Sequence, residues 1–178
     1  DDWSSRNFAY GWPHARIYPF AMHWLETGLR RKITMRNQLG AGGTVALFSS
    51  ADTVLKFSLM LSGEATDYYQ QAYLPDTQPQ PAERPLPRFT PRLYYRQKIV
   101  PLVSLTAEVW YQQSLRTAND YRWHVESGFE FRLAKAIALK TMAIWHFESA
   151  VPLGVKRYDV LWTVGATAEW SSLMEENK

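Results

Sequence analysis

The stretch Trp-His-Phe-Glu-Ser at 145–149 sets His146, Glu148 and Ser149 almost side by side. A histidine that takes a serine proton, oriented by a carboxylate, is the machinery of acyl transfer and of lipid hydrolysis. The local pattern argues against that chemistry. Large apolar and polar residues alternate here, so His146 and Glu148 share one side of an extended strand and Ser149 lies on the other. A serine and a histidine of opposite parity do not readily share a hydrogen bond. The remaining histidines, His14, His23 and His124, are scattered and lack metal-ligand spacing. The Gly40–Gly43 block has no Lys-Ser/Thr and no helix after it, so it is no phosphate loop; small residues in a strand instead mark a bend or a close approach. No catalytic residue, metal site or cofactor is expected.

The remaining polar residues fall in register with strands. In Asp-Tyr-Arg-Trp-His-Val-Glu-Ser-Gly-Phe-Glu-Phe-Arg-Leu (120–133), Tyr121, Trp123, Val125, Phe129 and Phe131 alternate with Arg122, His124, Glu126, Glu130 and Arg132. Side chains two apart share a face of a strand, so one face is apolar and the other highly charged. The pattern recurs along the chain. Ile33, Met35 and Leu39 oppose Thr34, Arg36 and Gln38; Leu55, Phe57, Leu59 and Leu61 oppose Lys56, Ser58, Met60, Ser62 and Glu64. Leu93, Tyr95 and Ile99 oppose Arg92, Tyr94, Arg96 and Lys98, and Val103, Leu105, Val109 and Tyr111 oppose Ser104, Thr106, Glu108 and Gln112. Leu139, Trp145 and Phe147 oppose Lys140, His146 and Glu148, and Tyr158, Val160, Trp162, Val164 and Trp170 oppose Asp159, Thr163, Thr167 and Glu169. No helical period and no helix cap interrupts the series.

Eight clear strands follow from about residue 20 onward, with 1–18 as a lead-in or partial strand broken at Pro13 or Pro19. Short connections (49–52, 100–101, 134–136) alternate with a long Pro-rich one at 67–88 and intermediate ones near 115 and 152. That is the form of an up-and-down meander with its short turns at one end. The Pro-rich stretch could be a domain linker, but the same pattern on both sides favours one domain over 1–178, with a tail at 171–178. Bacterial single-chain barrels have even strand numbers. Either eight strands close with a short lead-in, or the region 1–18 is a further strand of a larger barrel of 10–12 with N-terminal strands missing.

Composition narrows the class. The 178 residues suffice for one domain, and the net charge of +3, without a Lys/Arg run, does not point to nucleic acid. The absence of cysteine excludes a disulfide scaffold and thiolate zinc sites. The opening Asp-Asp-Trp-Ser-Ser reads as a mature or trimmed sequence. No run approaches the roughly 18 consecutive apolar residues of a spanning helix. A mean hydropathy of −0.34 says little about a barrel, whose lipid-facing residues alternate with polar ones.

Alternation alone leaves two orientations. A soluble lipocalin-like barrel would turn the apolar face inward; a membrane barrel turns it to lipid. Strands of spanning length and rings near strand ends favour lipid: Tyr111, Tyr121, Trp123, Trp145, Phe147, Tyr158, Trp162 and Trp170 suit interfacial girdles. The closing Thr163, Gly165, Ala168 and Trp170 resemble the C-terminal signal read by barrel-assembly machinery, although eight residues follow Trp170.

Longer stretches also resemble a known family, the salt-induced outer-membrane proteins, bacterial β-barrels with a domain of unknown function. They are Met22–Thr44 with Arg36 ahead of Gly40-Ala41-Gly42, Phe89–Ile99, Leu105–Leu133 with its Tyr111-Gln112 and Asp120-Tyr121-Arg122, and Phe147–Trp170 with a Pro-Gly loop. The resemblance implies an all-β, antiparallel up-and-down transmembrane barrel in the outer membrane of a Gram-negative bacterium, and it implies no activity. Arg92, Arg96, Lys98, Glu108, Arg122, His124, Glu126, Glu130, Arg132, Lys140, His146, Glu148 and Asp159 then line a lumen as a polar network. The expected role is that of a non-enzymatic structural or accessory barrel, with outer-membrane lipid, assembly machinery and other envelope proteins as partners. A small channel or ligand-binding barrel is the alternative, and a lipid hydrolase a distant one. Closed pairing of Arg96, Arg122, Glu126 and Glu130 would count against a channel.

Overall fold

A computed structural model describes residues 2–69, 85–134, 137–152 and 154–168. Among these described residues nine strands form one sheet: β1 Trp3–Tyr10, β2 Ile17–Gly28, β3 Ile33–Ser49, β4 Thr53–Tyr68, β5 Leu86–Val100, β6 Val103–Ser114, β7 Tyr121–Arg132, β8 Ile137–Glu148 and β9 Tyr158–Ala168. Each pairs antiparallel with its sequence neighbour, in the order β1 to β9. This all-β up-and-down sheet curls until side chains of β3 touch β8 and those of β4 touch β7, which makes it a half-barrel.

The first residues are more than a lead-in. Trp3 through Tyr10 pair residue for residue with Thr27 through Phe20. Of the two readings of 1–18, lead-in or further strand, residues 3–10 take the second, in a strand of only 8 residues whose polar and apolar positions do not alternate. The long connection is also shorter than expected. β4 continues to Tyr68 and β5 begins at Leu86, so Arg88 belongs to a strand. Residues 70–84, together with the 171–178 tail, lie outside the described residues.

The two faces reverse the arrangement of a water-soluble protein. Among the described residues nine hydrophobic side chains are buried against sixteen polar or charged ones, so the interior is mainly polar. Large apolar side chains face outward instead, among them Leu39, Leu61, Phe129, Val160 and Trp162. An apolar exterior of this extent is far larger than the patches water-soluble monomers expose.

One part of the interior departs from the all-polar expectation. Tyr18, Phe20, Met22 and Trp24 of β2 point inward and are buried, and Phe20, Met22, Trp24, Met60 and Trp110 form an apolar cluster with Phe8 against it. The glycines of β3 make room for it. A Cβ on Gly42 would stand 2.0 Å from the Leu59 carbonyl oxygen, and one on Gly40 would stand 2.7 Å from Ser62 Cβ. Gly128 in β7 is equally tight, 2.1 Å from the Thr141 carbonyl oxygen. These are the close approaches that the Gly block pointed to.

Candidate functional site

The inward side chains lie in three levels between the long-loop end and the short-turn end. At the long-loop end, charges close the space from wall to wall. Arg36 of β3 donates through Nη1 and Nη2 to Glu148 of β8, at 2.9 and 3.1 Å, and through Nη1 to Glu26 of β2 at 3.1 Å. Arg31, in the turn after β2, pairs with Glu26 and with Glu148. Arg122 of β7 donates to both oxygens of Glu64 on β4, at 2.6 and 2.8 Å. Arg88 donates to Glu64 at 2.9 Å and to Asp120 at 2.8 Å. Arg36, Glu64 and Arg88 are each only 1–2% exposed. Bidentate guanidinium–carboxylate geometry is what lets such charges stand away from bulk water.

The middle level mixes rings with charge. Arg92 donates to Glu108 at 2.6 Å, and Trp110 Nε1 donates to the other oxygen of the same carboxylate. The Arg6 and Arg92 guanidinium carbons stand 5.3 and 5.4 Å from the Trp110 ring centre, in cation–π range. Arg6 also reaches Glu126 at 3.3 Å, and His124 lies 3.0 Å from Glu126 and 3.1 Å from His146. The third level, at the short turns, is looser. Arg96 stands 3.7 Å from Glu130 and Lys98 stands 3.8 Å from Asp52.

The inward set expected from sequence is brought together on the concave face. Arg92, Glu108, Arg122, His124, Glu126, His146 and Glu148 join the upper two levels. Arg96, Lys98, Glu130 and Arg132 gather at the short-turn mouth, with Lys140 opposite Glu130 in the strand register. Asp159 is half-exposed and near the Arg30 guanidinium at 3.8 Å. Sequence reading placed Arg36 and Glu64 on the polar face without assigning them to the network, and it missed Arg6, Glu26, Arg31, Arg88 and Asp120. The signal for Glu26 was parity with Trp24; nothing local pointed to the cross-lumen partners.

The serine of the 145–149 stretch plays a different part. Ser149 Oγ accepts from the Tyr121 amide at 2.7 Å and donates toward the Asn119 carbonyl at 2.7 Å. It pins the loop between β6 and β7 and bonds neither His146 nor Glu148.

On the outer face the aromatics form a band at the long-loop end. Tyr111 packs tilted against Trp123 at 4.7 Å and against Tyr121 at 6.1 Å, while Tyr121 stacks with Phe147 at 5.9 Å and Phe147 with Trp145 at 6.2 Å. Tyr158, paired with Phe147, extends it onto β9. Trp162 pairs with Ala143 in mid-strand, away from the band. Of the closing signal, Thr163 is half-buried and Gly165 has open space around it. Ala168 ends β9, and Trp170 and Glu169 lie outside the described residues.

A curled antiparallel meander, apolar outside and charged within, defines the class: this is a β-barrel wall of the outer-membrane type. Residues 16–170 match the family described as "Protein of unknown function, DUF481", and the chain belongs to that family. Its fold is similar to the solved structure titled "Outer-membrane expressed OmpT of Vibrio cholerae", with a TM-score of 0.52 and 10% identity. That alignment covers 95% of this chain and 56% of the other, so the chain spans little more than half the length of that protein. No curated protein matches the sequence. Neither likeness bears on induction by salt.

Proposed function

We propose that this chain is a membrane-embedded barrel wall in the outer membrane of a Gram-negative bacterium, without catalysis of its own, serving as a structural or accessory part of an envelope complex. The observation that carries the reading is the wall-to-wall pairing of Arg36 with Glu148 and of Arg122 with Glu64 beneath the long-loop end. An open pore needs water along its whole length, and these ion pairs instead bridge β3 to β8 and β4 to β7 across the concave face. The apolar exterior and the ring band support lipid around the strands, with assembly machinery needed to insert it.

Two measurements test this. In planar bilayers the purified protein is expected to give no steady unitary conductance, whereas reproducible open-channel steps overturn the closed-lumen reading. Extracted in mild detergent, it is expected to migrate in a native gel as part of a larger assembly; a monodisperse monomer overturns the accessory role.

The lipid contact has its own test. Leu61 faces outward in mid-β4 and is 61% exposed. Leu61→Arg is expected to destabilise the folded barrel by about 2–4 kcal/mol in lipid or detergent, the depth-dependent cost of an arginine at mid-membrane. Leu115→Arg, in the loop between β6 and β7, is expected to have little effect. Equal tolerance of the two in a denaturant titration overturns the membrane reading.

A further inference from the structure

At the short-turn end the levelled charges leave a cavity of about 240 Å³, lined by Asp52, Arg96, Lys98, Ser104, Glu130 and Arg132 among others. We infer that this cavity is a binding site for a small anion, a phosphate- or carboxylate-bearing molecule. Three features separate it from the level at the other end.

Its charge is unbalanced. Three cations line it against two carboxylates, and Lys140 stands next to Glu130 across the β7–β8 register. Its ion pairs are loose. Arg96–Glu130 at 3.7 Å and Lys98–Asp52 at 3.8 Å lie beyond hydrogen-bonding distance, whereas at the long-loop level Arg122–Glu64, Arg36–Glu148 and Arg88–Glu64 stand at 2.6–2.9 Å. The Arg132 guanidinium has no carboxylate partner among the described residues. Among the described residues its donors have no hydrogen-bond acceptor. Ser104 is buried at 7% exposure, on the inward face, and adds a hydroxyl to the wall.

A forked guanidinium, a second guanidinium and an ammonium around one space recognise oxyanions, because planar and point donors together satisfy several oxygens. The volume is below that usual for drug-sized ligands, so a compact anion fits best. Glu130 is the built-in competitor: its carboxylate occupies the field that a bound anion would take over from it.

The test uses the whole folded protein in detergent, titrated by calorimetry at low ionic strength with inorganic phosphate and, separately, with succinate. One saturable site is expected for at least one of them, with no binding of glycerol. Arg132→Gln should weaken binding about tenfold, the loss of a charge-assisted contact, and Arg132→Lys should restore part of it. Glu130→Gln, which removes the competing carboxylate, should strengthen binding. These side chains stand at an open mouth, so heat-modifiable gel migration should stay as in the unmodified protein. Absence of saturable binding, binding unchanged in Arg132→Gln, or weaker binding in Glu130→Gln each overturns the inference. None of these outcomes depends on whether the lumen conducts.

Discussion

Glu64→Ala is expected to destabilise the folded protein by about 3–5 kcal/mol, the usual effect of removing one partner from a buried ion pair. Glu64 accepts from Arg88 and Arg122, and a third guanidinium, that of Arg36, stands 3.9 Å away. Its removal leaves three arginines facing one another in a space with almost no water. Their charges repel; Arg36 keeps Glu148 and Arg88 keeps Asp120, but Arg122 loses its bidentate acceptor. Denaturant unfolding in detergent, followed by tryptophan fluorescence, reads the shift in midpoint. Glu130→Ala is the matched control. Its partner stands 3.7 Å off and 40% exposed, so the expected change is within about 1 kcal/mol, as for solvent-accessible pairs. Equal effects at the two positions would mean that the long-loop level is no better shielded from water than the mouth.

Gly42→Ala is the second large effect. The added methyl would meet backbone, the Leu59 carbonyl oxygen at 2.0 Å and Met60 Cα at 2.8 Å. No rotamer relieves a contact with main chain, so β3 and β4 must separate or the curl must flatten. Overpacking of a well-filled interior costs about 1–3 kcal/mol, and this case lies at or above the top of that range because both contacts are with the neighbouring strand's backbone. Gly43→Ala, one residue on, has nothing within 4 Å of the new methyl. It is expected to change stability by no more than about 0.5 kcal/mol. The pair of variants differs only in face, so a refolding yield that falls for Gly42→Ala and holds for Gly43→Ala measures the tightness of the curl itself. Matching yields would show that the sheet has room to flatten there.

Most strands were legible because their period of two is carried by large side chains: Leu55, Phe57, Leu59 and Leu61 on one face leave no other local structure. β1 was legible only as one of two alternatives, because Trp3, Arg6 and Phe8 alternate with nothing consistent, and its partner β2 turns rings inward. The inward rings are the clearest limit of parity. Parity says that Phe20, Met22 and Trp24 share a face; that it is the inward one appears only in the folded sheet, where Phe20 stands opposite Gly42 and Met22 opposite Gly40. The charge network was legible residue by residue and illegible as pairs. Arg36 and Glu148 are 112 positions apart and never neighbours in the sheet. Their meeting depends on curvature, which no stretch of sequence encodes alone. Arg88 was missed for a plainer reason, since the prolines just before it hide the start of β5.

The directions of the outermost strands carry a consequence of their own. β1 and β9 both run from the long-loop end to the short-turn end, and among the described residues they do not pair. Two strands heading the same way can join only through the slanted ladder of parallel neighbours, the less stable of the two pairings. A second copy set beside this one about the barrel axis meets the same obstacle at both seams, because each seam again matches a β9 with a β1. The gap is thus polarised. It accepts an odd number of strands, rising first from the short-turn end, and it disfavours closure by a second copy about the barrel axis by direction alone, with no side chain required.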